Sequence, residues 1–298
     1  MYNNICVKSV HIKETNMVQI VIIHDWIMFL IYYIMKNKLL LVVILLSCLR
    51  GTTYAQRTLI DTVRYRFHYA TKETTTEGKK PFSDEINVDI GDKVTYCYSR
   101  WEEDNDLLYD SIIAKGGNAN DFLAAEGPIS MFGERVIKNY PSKRNLIVTC
   151  ALGVDLIYNE STEKKDWNLV LGDTTIAGYK CKKAVCNFRG RKWIAWYTLD
   201  IPISDGPWKL DGLPGMILKA VDSLNQFSFE CFQIKTDLNI PMTVKIAKCV
   251  KTTALKVHQL KMLRRSNYTA YAKATGLDKG VAIGYVPKSK VACLLEKY

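Results

Sequence analysis

The segment from Arg189 to Val221 constrains the fold more than any other part of the chain. An aromatic stretch is followed by Gly206-Pro207-Trp208, then by Gly212-Leu213-Pro214-Gly215, and finally by an apolar stretch. Proline fixes φ near −65°, and glycine accepts a positive φ or the close approach of another backbone. The segment therefore predicts two β-strands joined by a rigid loop, with both proline-glycine tracts as its structural motif.

The same tracts resemble the signature of a known family. Gly212-Leu213-Pro214-Gly215-Met216-Ile217 resembles the motif of the GLPGLI family of exported Bacteroidota proteins, with methionine in place of the family's second leucine. The upstream pattern Gly-Tyr-x-Cys-x-Lys-Ala at 178–184 and Phe-Arg-Gly-Arg at 188–191 is similar to the family as well. The resemblance extends over residues 56–298 and is closest over 175–222. It implies an exported protein of the periplasm, outer membrane or extracellular space, without a particular molecular activity.

The first 55 residues have the features of a targeting segment. A short basic stretch from Met35 is followed by the apolar run Leu39–Leu46 and by small residues before Gln56. This is the order of parts in a secretory signal peptide. We expect residues 35–55 to be the signal peptide and residues 56–298 to be a single GLPGLI-type domain.

Residues 1–34 do not fit in front of a signal peptide, so we interpret them as a mis-annotated N-terminal extension, with translation starting at Met35. Two alternatives stay open. One is a membrane anchor built from Val18 to Leu49, although Asp25 in a membrane helix would cost about 2.5–3.5 kcal/mol. The other is lipidation at Cys48, which follows Leu45-Leu46-Ser47.

The mature region predicts an α+β fold that is mostly antiparallel β, as a strongly curved sheet or partly open barrel with one or two covering helices. Alternating patterns indicate strands from Leu59 onward and a hairpin across Gly91-Asp92. A helix is expected at 101–115 with Ser99 as its N-cap, and another at 253–274, ended by Gly276. Residues 118–143 are expected to be irregular.

Cysteine and charge content bear on compartment and partners. Seven cysteines follow the predicted signal peptide, and an exported chain can form disulfides. We expect most of them to be buried apolar residues, at most two or three disulfides to form, and Cys181 and Cys186 not to be bonded if one strand holds both. The full chain carries a net charge of +11, with modest basic clusters. They are Lys182-Lys183, Arg189/Arg191/Lys192 and Lys261/Arg264/Arg265.

Two aspartates are the candidates for catalysis. Asp205 and Asp211 bracket Gly-Pro-Trp and could supply general acid and base chemistry, yet aspartate before glycine is also a frequent turn former. His68 and His258 have no neighbouring catalytic motif and are interpreted as structural. Phosphate-loop, dinucleotide and hydrolase-elbow motifs are absent from the sequence.

Five residues of the central segment are the candidates for ligand contact. Arginines flanking a glycine turn can clamp a carboxylate or phosphate, and tryptophans can stack on a ligand or fill a core. The ligand-binding candidates are Arg189, Arg191, Trp193, Trp196 and Trp208. We expect loss of Trp208 or Gly215 to destabilise the fold, and loss of Asp205 or Arg191 to change stability little.

The sequence favours an exported module that binds a small ligand, a peptide or an envelope protein, with its site shaped by the Arg189–Ile217 region. An envelope hydrolase using Asp205 and Asp211 and a structural surface protein stay open as alternatives. No cofactor, no metal site and no specific nucleic acid partner is expected. Membrane contact is expected only through the signal peptide or lipidation at Cys48.

Overall fold

The computed structural model describes residues 57–74, 81–125, 127, 130, 132–152, 154–246, 248–276 and 295–296, together with Met28 and Tyr32. Apart from Met28 and Tyr32, the predicted extension 1–34 therefore lies outside the described residues, as do the signal peptide 35–55 with Cys48, the Gln56 terminus and most of the tail after Gly276. Contacts divide the chain into two units, residues 1–54 and 55–298. Among the described helices, none has the length and apolar character needed to cross a membrane.

Thirteen strands of the described chain form one sheet, which confirms the predicted mostly antiparallel α+β class. In chain order they are β1 Thr58–Glu73, β2 Phe82–Gly91, β3 Thr95–Ser99, β4 Glu134–Lys138, β5 Asn145–Ala151, β6 Asp155–Ser161, β7 Asn168–Ile176, β8 Tyr179–Phe188, β9 Arg191–Thr198, β10 Met216–Asp222, β11 Phe227–Lys235, β12 Ile240–Val244 and β13 Val250–Lys251.

Two meanders make up the sheet and meet at β1. The order is β13-β6-β5-β4-β3-β2-β1-β11-β10-β9-β8-β7, and the long β1 also pairs with β12 through its first half. All of these pairings are antiparallel except that of β13 with β6. Since β13 and β7 stand at opposite ends of the order, the sheet is not closed.

Strong curvature brings the two ends of this sheet together. Arg189, in the turn between β8 and β9, lies 3.0 Å from the carboxylate of Glu160 in β6, although many strands separate β6 from β8 in the order. Arg189 and Gly190 both have positive φ, as two-residue hairpin turns require. The buried apolar residues form two clusters, and the larger one contains the fully buried Trp193 and Trp208.

Four helices are described, and the two longest predicted helical segments are present. They are α1 Arg100–Ala114, α2 Ala119–Leu123, α3 Ala254–Ser266 and α4 Tyr268–Thr275. Ser99 caps α1 by accepting from the Glu102 N–H, as predicted. The single helix expected at 253–274 is in fact two, because Asn267 leaves helical geometry and its side chain caps α4. Gly276 ends α4 with φ at 75°, as expected of a left-handed C-cap.

The prediction that residues 118–143 are irregular is wrong in part. They contain the short α2 and the wholly buried strand β4, Glu-Arg-Val-Ile-Lys. The charged residues of β4 mask it in the sequence, because buried charges are rare unless they are paired. In the structure Glu134, Arg135 and Lys138 all make ion pairs, which is why a strand of this composition can be buried.

Candidate functional site

Residues 199–215 connect β9 to β10 and form what we call the signature loop. The loop crosses the interior of the curved sheet, and Trp208, Leu210 and Leu213 are fully buried. A Cβ at Gly215 would overlap the backbone carbonyl of Thr198, and one at Gly206 would lie 2.8 Å from the Cβ of Ile217. Gly212 has a φ of 91°. These close approaches and this backbone conformation explain why the motif needs glycine at these positions.

Asp205 is buried in an ion pair. Its carboxylate lies 2.5 Å from Nζ of Lys138 in β4 and accepts a 2.6 Å hydrogen bond from the Thr95 hydroxyl in β3. Lys138 also donates to the carbonyls of Gly206 and Leu210 within the loop. The ammonium group thus ties the signature loop to the sheet.

Asp211 is held in a similar way, but by a different lysine. Its carboxylate lies 2.7 Å from Nζ of Lys165, and its carbonyl accepts from the indole N–H of Trp167. Burial lowers the pKa of Lys165, and Asp211 works in the opposite direction. The two candidate catalytic aspartates therefore each have their own lysine partner.

The two arginines expected to clamp a ligand are engaged with the protein. Arg191 is buried, lies 2.7 Å from Asp222 and donates to Gln226. Arg189 pairs with Glu160 and Glu163.

Among the tryptophans, Trp193 and Trp208 are fully buried, whereas Trp196 is half-buried beneath the ammonium groups of Lys183 and Lys219. Contact of Arg189, Arg191 and the three tryptophans with a ligand stays a prediction.

These positions correct the expectation that loss of Asp205 or Arg191 changes the stability of the fold little. It assumed solvated side chains beside turns, but both groups are in ion pairs with buried partners. Removing one member of a buried pair leaves an uncompensated charge, which costs about 3–5 kcal/mol.

A cavity of about 500 Å³ lies between α3 and the sheet, and we call it the helix cavity. Its apolar wall includes Phe132, Leu152 and Val257. Phe82, which is 48% exposed, also lines it. This volume is within the range of small-molecule sites, which combine a mainly apolar lining with a few polar groups.

Two ion pairs connect α3 to the sheet across this cavity. Lys261 pairs with Glu134 of β4, and Arg265 lies 2.7 Å from Glu73 of β1. Burial raises the pKa of Glu73, with Arg265 acting against it. Burial also opposes ionisation of Glu134, but Lys261 and Lys209 outweigh it and hold the pKa of Glu134 at about 2. The cavity therefore contains two carboxyl groups whose pKa values are displaced in opposite directions.

Residues of the signature loop bind carboxylates of the helix cavity wall without lining the cavity themselves. The indole N–H of Trp208 donates a 2.9 Å hydrogen bond to Glu134, and Lys209 pairs with Glu296. Both carboxylates line the cavity, whereas Trp208 and Lys209 do not. Trp208 also has a φ of 54°, a conformation that costs a side-chain-bearing residue about 1–2 kcal/mol. The buried contacts of its ring and indole N–H hold it there.

Sequence reasoning missed most of the residues that line this cavity. The third basic cluster was noticed, and Lys261, Arg264 and Arg265 all line the cavity. An available signal was the composition of α3, which carries four cationic residues and no aspartate or glutamate. Glu73 and Glu134 gave no comparable signal, because a glutamate in a strand usually faces solvent.

The histidines and cysteines fit the structural interpretation in most respects. His68 is buried in β1, and burial lowers its pKa. Five of the six described cysteines are buried, which confirms that most are core residues. Cys181 and Cys186 both lie in β8, as expected, and the number of disulfides stays a prediction. Among the described residues, no group of histidine, cysteine, aspartate and glutamate side chains has the geometry of a metal site.

Fold and cavity together define the class: a β-rich α+β protein with an open, curved sheet, a buried connecting loop and a helix-bounded cavity. The family model described as a protein of unknown function (Porph_ging) matches residues 189–219. The resemblance of the signature region to the GLPGLI family is therefore confirmed over that segment. A search of curated protein sequences finds no significant match.

Solved structures offer distant similarities. PNGF-II in two crystal forms is 19% and 18% identical over 68% of this chain, with TM-scores of 0.43 and 0.42. This chain covers about a third of the length of PNGF-II, at 34% and 33%. A LolA-superfamily protein from Nitrosomonas europaea is 10% identical, with a TM-score of 0.24, over 60% of this chain and 88% of that one. Similarities this distant assign no activity to the present chain.

Proposed function

We propose that residues 56–298 form an exported envelope protein that binds a small ligand in the helix cavity, with the signature loop maintaining the cavity wall. The observation that carries this proposal is the link from Trp208 through Glu134 to Lys261. It joins the signature loop to the lining of a cavity of about 500 Å³. A rigid, buried loop is well suited to hold a binding surface, because preorganised groups lose little entropy when a ligand binds.

Binding of a neutral fluorescent probe tests this function. N-phenyl-1-naphthylamine should bind purified protein with one site per chain. Ala254 lines the cavity, so Ala254→Trp should weaken binding clearly by occupying part of the site. Leu255 is the next residue and is 56% exposed outside the cavity lining, so Leu255→Trp is the matched control and should bind as wild type does. Equal binding by both variants, with both folded, would refute the proposal.

Export is a separate part of the proposal and rests on the signal features of residues 35–55. The envelope form of the protein should begin at Gln56. Intact-mass analysis of that form would decide the matter, and a mass that includes residues 1–34 or a lipidated Cys48 would overturn this part alone.

An envelope hydrolase is the second candidate, and one observation favours it. Groups whose pKa values are pushed apart in one cavity are a common arrangement of general acid and base. Glu73, with its raised pKa, would be the acid, and Glu134 would be the carboxylate. Asp205 and Asp211 are less suited to these roles because each is held by its own lysine. Turnover of chromogenic esters or glycosides that is lost in Glu73→Gln and in Glu134→Gln would support hydrolysis, and no turnover by wild type would count against it.

A further inference from the structure

We infer that the ligand of the helix cavity is an amphipathic molecule with a single negative charge on an otherwise apolar body. This inference rests on the proposed binding function and narrows it to a chemical class. It follows from the balance of charges around the cavity and from the position of one arginine.

The carboxylates that line the cavity are already matched by cations of the protein. Four glutamates contribute to the lining, and each lies beside at least one cationic side chain. The pairs are Glu73 with Arg265, Glu102 with Arg135, Glu134 with Lys261 and Glu296 with Lys209. A cationic ligand would therefore compete with a protein cation at each of these carboxylates, although Arg135 is shared with Glu103 and Asp106, and one carboxylate oxygen of Glu102 has no hydrogen-bond partner among the described residues.

Arg264 is the remaining cation of the cavity lining. It is exposed, and its guanidinium carbon lies 6.0 Å from the centre of the Tyr271 ring. Within the described part of the chain it has no carboxylate partner at ion-pair distance. Its place in the last turn of α3 suits the helix dipole, but that alone does not require it to line a cavity. Burial lowers the pKa of His258, which favours its neutral form, although Glu296 acts in the opposite direction.

The apolar part of the lining determines the rest of the ligand. Phe132, Leu152 and Val257 are buried side chains of the cavity wall. Phe82 is an exposed aromatic residue on the same lining, as is the partly exposed Tyr268. An apolar body can cover these rings and aliphatic groups while one anionic group, a carboxylate or a phosphate, reaches Arg264. Guanidinium groups bind both kinds of anion through paired hydrogen bonds.

Two probes with nearly the same aromatic body separate this inference from the proposed function. 1-Anilinonaphthalene-8-sulfonate differs from N-phenyl-1-naphthylamine chiefly by its sulfonate group. Wild-type protein should bind the sulfonate probe more tightly than the neutral probe. Arg264→Gln should weaken binding of the sulfonate probe by about three- to tenfold and leave the neutral probe unchanged. Lys256→Gln, an exposed cation of α3 outside the lining, is the matched control and should change neither.

Displacement by unlabelled compounds then identifies the kind of anion. Decanoate or decyl phosphate should displace the sulfonate probe at lower concentration than decanol. The more effective of the two anions shows whether the cavity prefers a carboxylate or a phosphate head group. Equal affinity for both probes in wild type, or an Arg264→Gln variant that still prefers the sulfonate, would overturn the inference while the binding function stands. Failure of both probes to bind would overturn the binding function and the inference with it.

Discussion

Gly215 shows how much of the signature loop is determined by a single missing side chain. The residue has no positive φ, so its requirement for glycine comes from the close approach of the Thr198 carbonyl. We expect Gly215→Ala to destabilise the protein by about 1–3 kcal/mol, the usual cost of forcing extra volume into a packed site. Thermal unfolding should show a fall in Tm of about 2–12 °C.

Gly133→Ala is the control for this substitution, because a Cβ there meets no atom within 4 Å and the residue has no positive φ. Its Tm should stay close to that of wild type. A Gly215→Ala variant that melts together with Gly133→Ala would mean that the loop can move away from Thr198, and the close approach would lose its structural importance.

Asp205 illustrates a different effect at the scale of one residue, the cost of a broken buried ion pair. Asp205→Asn removes the negative charge and leaves Lys138, whose side chain is 3% exposed, without its counter-charge. We expect a loss of roughly 3 kcal/mol in the free energy of unfolding. Urea unfolding at neutral pH would measure it. Asp92→Asn breaks the exposed pair with Arg64 and should change the midpoint little.

Among the elements, β4 and α3 contain most of the features that the sequence did not predict, namely a buried charged strand and the lining of the helix cavity. Strands with alternating apolar residues, such as β1 and β11, were predictable because their pattern reflects burial of one face. The strand β4 could not be predicted, because its charges are neutralised by residues distant in sequence, among them Asp205 and Lys261. Pairings of that kind depend on tertiary structure and leave no local periodicity.

The two ion pairs that connect α3 to the sheet should respond to pH in opposite directions. The pKa of Glu134 in the folded state is lowered to about 2, so its carboxylate contributes stability that is lost as pH falls from the unfolded value towards 2. The pKa of Glu73 is raised in the folded state, so ionisation of Glu73 costs stability at neutral pH, and that cost disappears as pH falls.

Urea midpoints measured from pH 6 to pH 3 should show this difference between matched variants. Glu134→Gln should lose less stability on acidification than wild type does, because its missing carboxylate no longer takes up a proton on unfolding. Glu73→Gln should lose more than wild type, because the compensating protonation in the folded state is gone. Parallel pH profiles for both variants would contradict the assignment of these two groups.

On the scale of the whole molecule, the sequence predicted the class of fold and the importance of residues 189–221, but it did not predict the cavity. The loop motif was recognisable because proline and glycine restrict the backbone locally. The cavity is made by residues from β1, β4 and α3, which come together only when the sheet curves. Trp208 connects the two, since it is fully buried in the loop and donates its indole N–H to Glu134 of the cavity wall.

The central claim is that the signature loop maintains the cavity wall through Trp208, and the affinity of Trp208→Phe for the neutral probe N-phenyl-1-naphthylamine tests it most directly. Phenylalanine keeps an aromatic ring in the core but removes the N–H that holds Glu134. We expect a folded variant whose affinity falls by about tenfold, the effect of losing roughly 1.4 kcal/mol from a hydrogen bond to a charged group. Trp196 is half-buried, and the matched control Trp196→Phe should bind the neutral probe as wild type does. A folded Trp208→Phe variant with wild-type affinity would contradict the claim.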